Sequence, residues 1–439
     1  MKETYVAALE IGSSKITGAV GVFTEDRTLR ILALEQEDSR DSVRYGIIQN
    51  PEEVAGRVNR ILERLNANPA VAPRHITGVY VGLSGRSMRS VESEVKLSYP
   101  DEIEFTSEIL RQLRNDATTV DIDNNLQVLA TEPRSYHIDG LETSSPKGAM
   151  GKRISATFDI IVGRTELKRN IQRSLTERTG VAIRGLIVTP LAAANIVLKD
   201  EEKRLGCMLV DFGAETTSVS IYRKGSLCYF ATLPLGGRNI TRDLTSLSIL
   251  EEKAEEIKIE SGKAIAAETP SSLNLGGIKL SDISNLVVAR SEEIVANVIE
   301  QIKYAGLKEK DLPGGIICIG KGSQLNGLLE LLEVQSGLNA RLGHLPAFIQ
   351  ANEPRAKRPD TIQTAALLYA GALSGKEDCL EMPPADSAVI YDGIDEVEED
   401  AGRPTTPAED GKVSKFFRSF ASKFSNIFAS PGDDESELD

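Results

Sequence analysis

Leu9-Glu10-Ile11-Gly12-Ser13-Ser14-Lys15 and Val210-Asp211-Phe212-Gly213-Ala214 carry the same pattern twice. Each ends an apolar strand on an acid, turns at a glycine and enters a second strand, Lys15–Val20 in one case and Thr217–Tyr222 in the other. Acid, apolar residue, Gly and small residue recur at identical spacing, 201 residues apart, which predicts two similar halves. Gly permits φ > 0 and lets backbone N–H groups approach an anion closely. The hydroxyls of Ser13, Ser14, Thr216 and Thr217 can donate to phosphate oxygens, and Lys15 adds a positive charge. A carboxylate facing phosphates needs a divalent cation between them. A Mg²⁺ that keeps most of its water suits Glu10 and Asp211. One such hairpin alone is an ordinary turn with a surface acid, and it is the repetition that gives the pair weight.

Around the first hairpin, Tyr5–Glu10, Lys15–Phe23, Leu29–Glu35 and Ile76–Leu83 read as strands, and Pro51–Leu65 has a helical apolar period. Residues 84–165 are more polar, with strands at Ser93–Leu97 and Ile154–Val162 and one helix near Ser107–Asn115, which reads as an inserted module. Around the second hairpin, Cys207–Phe212, Thr216–Tyr222, Cys228–Leu235 and Gly315–Ile319 are strands. Glu251–Ala264, Ser291–Tyr304, Gln324–Leu332 and Thr361–Ala372 are helices. Ile319-Gly320-Lys321-Gly322-Ser323 joins a buried strand to a helix through a turn that can lie flat on a ligand, and Gly236-Gly237 is another close-approach turn. The packed body is expected to end near Gly375.

The 439 residues carry a net charge of −14, but 17 acids and 5 bases lie in 377–439, so the body is close to neutral. It lacks the basic face of sequence-independent nucleic-acid binding, and no nucleic-acid partner is expected. Four scattered cysteines without a CxxC, and three scattered histidines, point to a reduced compartment without zinc or disulfides. The start of the chain has no secretory pattern, and no apolar run approaches the roughly 20 residues that span a bilayer.

Two acid-x-Gly-Ser/Ala hairpins, a Gly turn before a helix, the Ala-rich stretch Thr364–Ala372 and Thr189-Pro190-Leu191-Ala192-Ala193-Ala194 resemble the five-part nucleotide motif of the actin, hexokinase and heat-shock-chaperone superfamily. Within it, Leu9–Lys15, the insertion at 84–165 and Ala254-Glu255-Glu256-Ile257-Lys258 are similar to the bacterial cell-division family FtsA. The resemblance implies an α/β, actin-like two-domain ATPase fold of duplicated halves. Its first domain would be 1–83, 166–205 and 362–376, with the insertion at 84–165. The second would have a core at 206–241 and 311–361 and a smaller subdomain at 242–310. The resemblance further implies ATP and Mg²⁺ as cofactors, with Glu10 and Asp211 facing the cation and its waters. Gly12, Ser13, Ser14, Gly213, Thr216 and Thr217 would cradle the β- and γ-phosphates, and Gly236 and Gly237 would line the phosphate or ribose side. Gly320 and Gly322 would pass the adenine, with Glu255 and Lys258 near ribose and base. The chain departs from the superfamily in having Glu10 for the usual Asp and Lys321 for the usual second Gly of the adenosine turn. Where hydrolysing relatives carry a Glu or Gln that orients water, it has Thr189, a poor base, so slow or negligible ATP turnover is expected.

Residues 377–410 hold 12 acids, one base and four prolines, the composition of a disordered linker. From 412 to 432 the charges are all basic. Phe416, Phe417, Phe420, Phe424, Ile427 and Phe428 form one stripe on a helix, with Lys415, Arg418 and Lys423 to bind an anionic membrane surface. This gives a linker at 377–411, an amphipathic membrane helix at 412–430 and an acidic end at 431–439. One such helix binds modestly, and polymerisation would raise its avidity. The expected function is an ATP-binding cell-division protein that polymerises on the cytoplasmic face of the inner membrane at the division site. There it would anchor the tubulin-like FtsZ, whose C-terminal peptide would dock on 242–310, and meet other division proteins. A small-molecule kinase, a polyphosphatase or a pilus-assembly adaptor of the same superfamily are the alternatives. A kinase requires a general-base carboxylate toward its substrate, and none stands out.

Overall fold

The computed structural model describes residues 3–266, 274–275, 277–351, 354–375 and 378–382. The expected membrane helix at 412–430, the acidic end at 431–439 and the linker beyond 382 lie outside the described residues.

Two sheets carry the two hairpins. The first runs Ala182–Val188, Gly78–Leu83, Thr4–Ile11, Lys15–Phe23, Leu29–Asp38 and Ile349–Ala351. The second contains Ala340–Leu342, Ile316–Ile319, Cys207–Phe212, Thr217–Arg223 and Ser226–Leu233 in that order. In both, two parallel pairings precede two antiparallel ones. The repeat read from the sequence is therefore a repeat of topology. It extends to register, since Glu10 faces Thr17 and Asp211 faces Ser218 across the two hairpins.

The strands form because their residues are apolar on both faces, as strands buried between helices must be. Val6–Leu9 and Cys207–Val210 are all buried. The helix Pro51–Asn66 covers the first sheet. Asn50 caps it by accepting from the Glu52 and Glu53 amides, and Val54, Val58, Ile61, Leu62 and Leu65 point inward. Gly18 leaves room for it, because a Cβ there would run into Ile61. The Ala-rich helices Thr189–Val197 and Ile362–Leu373 are buried nearly all round.

The inserted module has its own core around Phe105, Leu113, Ile154, Phe158 and Ile160. It contains more strand than expected, in Arg89–Glu104, Leu126–Ile138, Leu141–Thr143 and Met150–Arg164, with the helix Ser107–Ala117. Leu126–Ile138 is illegible in the sequence because its residues are half-buried with no clean alternation and Pro133 interrupts them. A bridge between Ala231 and Arg89 joins the module to the second sheet.

Several boundaries differ from the sequence reading. Ile349–Ala351 pairs in parallel with Leu29–Ile31, so this part of 311–361 belongs to the first sheet and not to the second-domain core. The body continues past 376. Leu380 and Glu381 pair with Ile76 and His75, Cys379 is buried, and its carbonyl accepts from Thr77 and Gly78. Edge amides that must be satisfied recruit the first residues of what reads as an acidic linker. The helix expected at Gln324–Leu332 is a 3₁₀ turn at Lys321–Gln324 and an α-helix at Leu328–Ser336. Gly327, with φ 77°, separates them. The long helix of the smaller subdomain begins at Leu280, earlier than the expected Ser291.

Candidate functional site

The two hairpins face one cleft, lined by Glu10, Gly12, Ser13, Ser14, Lys15, Asp211, Gly213, Thr216 and Gly320 from among the expected residues. Each hairpin is closed by the same bond, Gly12 N to Lys15 O and Gly213 N to Thr216 O, both 2.9 Å. Gly213 is obligatory, since a Cβ would lie 2.7 Å from Thr216 O. Gly320, at φ 83°, passes so close that a Cβ would strike Asp211 Oδ1 and the Phe212 carbonyl.

Burial dominates the electrostatics. It pushes the Glu10 carboxyl up to about 7, with Lys15 opposing and Asp211 and Asp360 adding to the rise. It pushes Asp211 up to about 6, against the hydrogen bond from Gln363 Nε2 at 2.8 Å. Carboxyls raised in this way are held toward the neutral form and ionise readily only when a cation joins them. Among the described residues, no three His, Cys, Asp or Glu side chains converge tightly enough to hold a metal directly. A Mg²⁺ held through waters and phosphate oxygens fits two acids, and the glycines leave space for the phosphates. The Thr189 Oγ1 and Gln363 Oε1 atoms are buried without a partner, two further polar atoms available to a ligand.

Other expected residues do not line this cleft. The Thr217 hydroxyl turns away to donate to Leu235 O at 2.8 Å, because one residue of strand alternation separates it from Thr216. Gly236 and Gly237 pack behind the second hairpin, where a Cβ on Gly236 would meet Ala214 O at 2.6 Å. Glu255 and Lys258 bind each other at 2.5 Å, and both bond to Thr241. Burial alone would raise Glu255, but Lys258 and Thr241 hold it below its usual range. Gly322 packs on Phe212. Lys321 does reach the lining.

The sequence reading missed Gly46, Ser84, Ser218, Asp360 and Gln363, all in the lining. Ser218 was available from the repeat, as the strand partner of Asp211. Asp360 and Gln363 lie at the start of the Ala-rich helix already singled out. Asp360 holds Lys15 Nζ at 2.5 Å.

The family model described as "Cell division protein FtsA" matches residues 208–359, and "SHS2 domain inserted in FTSA" matches 85–162. Cell division protein FtsA of Porphyromonas gingivalis is 32% identical over 340 residues, spanning 75% of this chain and 70% of that protein. The chain belongs to the FtsA family. The Neisseria meningitidis and Bacillus subtilis FtsA proteins, at 28% and 27% identity, span 90% and 81% of their own lengths. Of solved structures, a PilM–PilN type IV pilus biogenesis complex superposes with a TM-score of 0.58 at 18% identity over 84% of this chain and 98% of that one, a likeness of fold alone. As an FtsA, this is a cell-division protein of the actin-like ATPase superfamily, and the module at 85–162 is its SHS2 insertion. Among the described residues no helix is long and apolar enough to cross a membrane.

Proposed function

We propose that this chain is an ATP-binding adaptor that polymerises on the cytoplasmic face of the inner membrane and anchors FtsZ filaments at the division site. The observation that carries the reading is the pair of recessed, raised carboxyls, Glu10 and Asp211, presented by two hairpins of one design. Mg²⁺ would neutralise phosphate charge between them. Gly12, Ser13, Ser14, Gly213 and Thr216 would bind the phosphates through backbone amides and hydroxyls, and Lys15 would add a cation. Gly320 and Lys321 would border the nucleoside.

ATP would act mainly as a conformational ligand. Thr189, itself a poor base, heads the helix that borders the cleft, and turnover well below about 1 s⁻¹ is expected. Phosphate release at or above that rate would overturn this part of the proposal.

The amphipathic stripe at 412–430 supports membrane attachment. The helices Gly237–Thr245 and Leu280–Tyr304 border a shallow concavity lined by Arg242, Asp243, Ser246, Leu286, Ala289, Arg290 and Glu293, the surface within 242–310 that would receive the FtsZ C-terminal peptide. Flotation on anionic liposomes tests the whole. The full chain is expected to float, more strongly with Mg-ATP, and to carry FtsZ with it, while a chain ending at Asp410 stays in solution. If both stay in solution, the anchor is lost from the reading.

A further inference from the structure

We infer that Glu215 is a positioning residue that clasps the first half of the molecule to the second phosphate hairpin and so fixes the separation of the two hairpins. Glu215 lies within the second hairpin and is fully buried. Its Oε1 lies 2.9 Å from Arg44 Nε, a charge contact out of hydrogen-bond alignment, and accepts hydrogen bonds from Arg242 Nη2 at 2.6 Å and Arg238 Nη1 at 3.4 Å. Its Oε2 accepts from the Tyr45 amide at 2.7 Å. Arg238 and Arg242 sit on the helix that starts against the same hairpin, where Gly237 N donates to Gly213 O and Arg238 N to Ala214 O. They hold Glu215 within its own half. Arg44 and Tyr45 come from the first half.

The next residue completes the bridge. Gly46 N donates to Ser13 Oγ at 2.8 Å, on the first hairpin. Neighbouring amides of one segment therefore bind opposite sides of the cleft. Tyr45 is held at φ 51°, a conformation that side chains rarely adopt, and Arg86 lies over its ring at 5.0 Å. Gly46 follows at φ 74°, where a Cβ would press on Gly85 at 2.5 Å. Strained backbone persists where surroundings over-determine it, and it clusters at sites with a task. A buried charge cluster is a weak way to gain stability but a good way to fix one geometry. The remaining charges on the arginines are met at the rim, Arg44 by Asp41 and Arg238 by Glu251.

The inference deepens the reading of the cleft as a nucleotide site and rests on it for its consequence, but its geometry can be tested without nucleotide. In the full chain, spin labels at Glu52→Cys and Glu256→Cys report the separation of the halves. The Arg44→Gln change removes the charged part of the link across the cleft, leaving the Tyr45 amide as its one remaining bond to Glu215 and Arg238 and Arg242 in place within the second half. Arg238→Gln cuts a link within the second half. Arg44→Gln is expected to broaden the label distance distribution and to weaken binding of a fluorescent ATP analogue with Mg²⁺ by roughly threefold to thirtyfold. Arg238→Gln should do neither, and Arg44→Lys should recover part of the loss. A narrow distribution in Arg44→Gln, or the same change in both variants, overturns the clasp. If the unsubstituted chain binds no nucleotide, the cleft reading fails while the distances still decide the clasp.

Discussion

Replacing Arg134 with Ala is expected to cost about 3–5 kcal/mol of stability, a fall of roughly 5 °C in Tm, without touching the cleft. Asp159 is buried on the strand Met150–Arg164, and Arg134 from the neighbouring strand grips it with two bonds, 2.8 and 2.5 Å. Arg134 also pairs with Glu92 and donates to Cys228 O at 2.9 Å, tying the inserted module to the strand Ser226–Leu233 of the second sheet. Removing Arg134 leaves a buried carboxylate unpaired between the cross-strand acids Glu92 and Glu132, and a carbonyl without its donor. Burial already raises the Asp159 carboxyl above its usual range, with Arg134 opposing. An acid whose folded pKa is raised is at its most stabilising below its unfolded pKa, and that contribution is lost as pH rises through the folded one. Without Arg134 the rise is larger, so the deficit should be greater at pH 7 than at pH 5. Thermal unfolding of both proteins at the two pH values checks this. The double change Arg134→Met with Asp159→Leu should recover most of the loss, because an apolar pair of similar bulk leaves no charge unpaired. Equal losses in the single and double variants would show that packing, not charge, sets the effect.

The duplicated architecture was legible because it rests on two local signals repeated at one spacing, and local signals survive without tertiary context. Glu10 with Gly12 and Asp211 with Gly213 give the strand ends, the turns and the acids at once. The insertion was legible as a change of composition, but not as the edge of a larger sheet, since Ala231 and Arg89 meet only in three dimensions. The same limit hid Ile349–Ala351 and Leu380–Glu381, short strands whose existence depends on an edge supplied by distant residues. At the site, strand parity explains the gain of Ser218 and the loss of Thr217. The resemblance placed Glu255 and Lys258 near ribose and base, and nothing in the sequence marked them as a pair that satisfies itself. Glu215 carried no signal at all. An acid beside a phosphate hairpin looks unfavourable until three arginines from both halves converge on it.

Glu10→Gln is expected to have two opposite effects, and their combination is the sharpest test of the cleft. The Glu10 carboxyl titrates near 7 in the fold against an ordinary value of 4.5, so the folded chain holds a proton that the unfolded chain has lost in the interval between. Stability from this group is complete below the unfolded value and falls as pH rises toward 7, and Asp211 adds the same slope up to about 6. In the absence of Mg-ATP, Tm should therefore decline from pH 5 to pH 8, and Glu10→Gln should flatten that decline and raise Tm at pH 8. The proposed Mg-ATP binding should have the reverse dependence. It draws on the ionised acids, so affinity should strengthen with pH through 6 to 7, and the Gln variant should lose about 10- to 100-fold at pH 8, the usual cost of removing a group that orders a metal's shell. A protein that becomes more stable as it loses its ligand has burial serving function at the expense of the fold. If Glu10→Gln raises Tm yet binds Mg-ATP as tightly as its parent, the raised acid is a structural defect of the first hairpin, and Asp211 alone must meet the cation. If it lowers Tm at pH 8, the buried carboxylate is better solvated than its pKa implies, and the case for a cation between the hairpins fails with it.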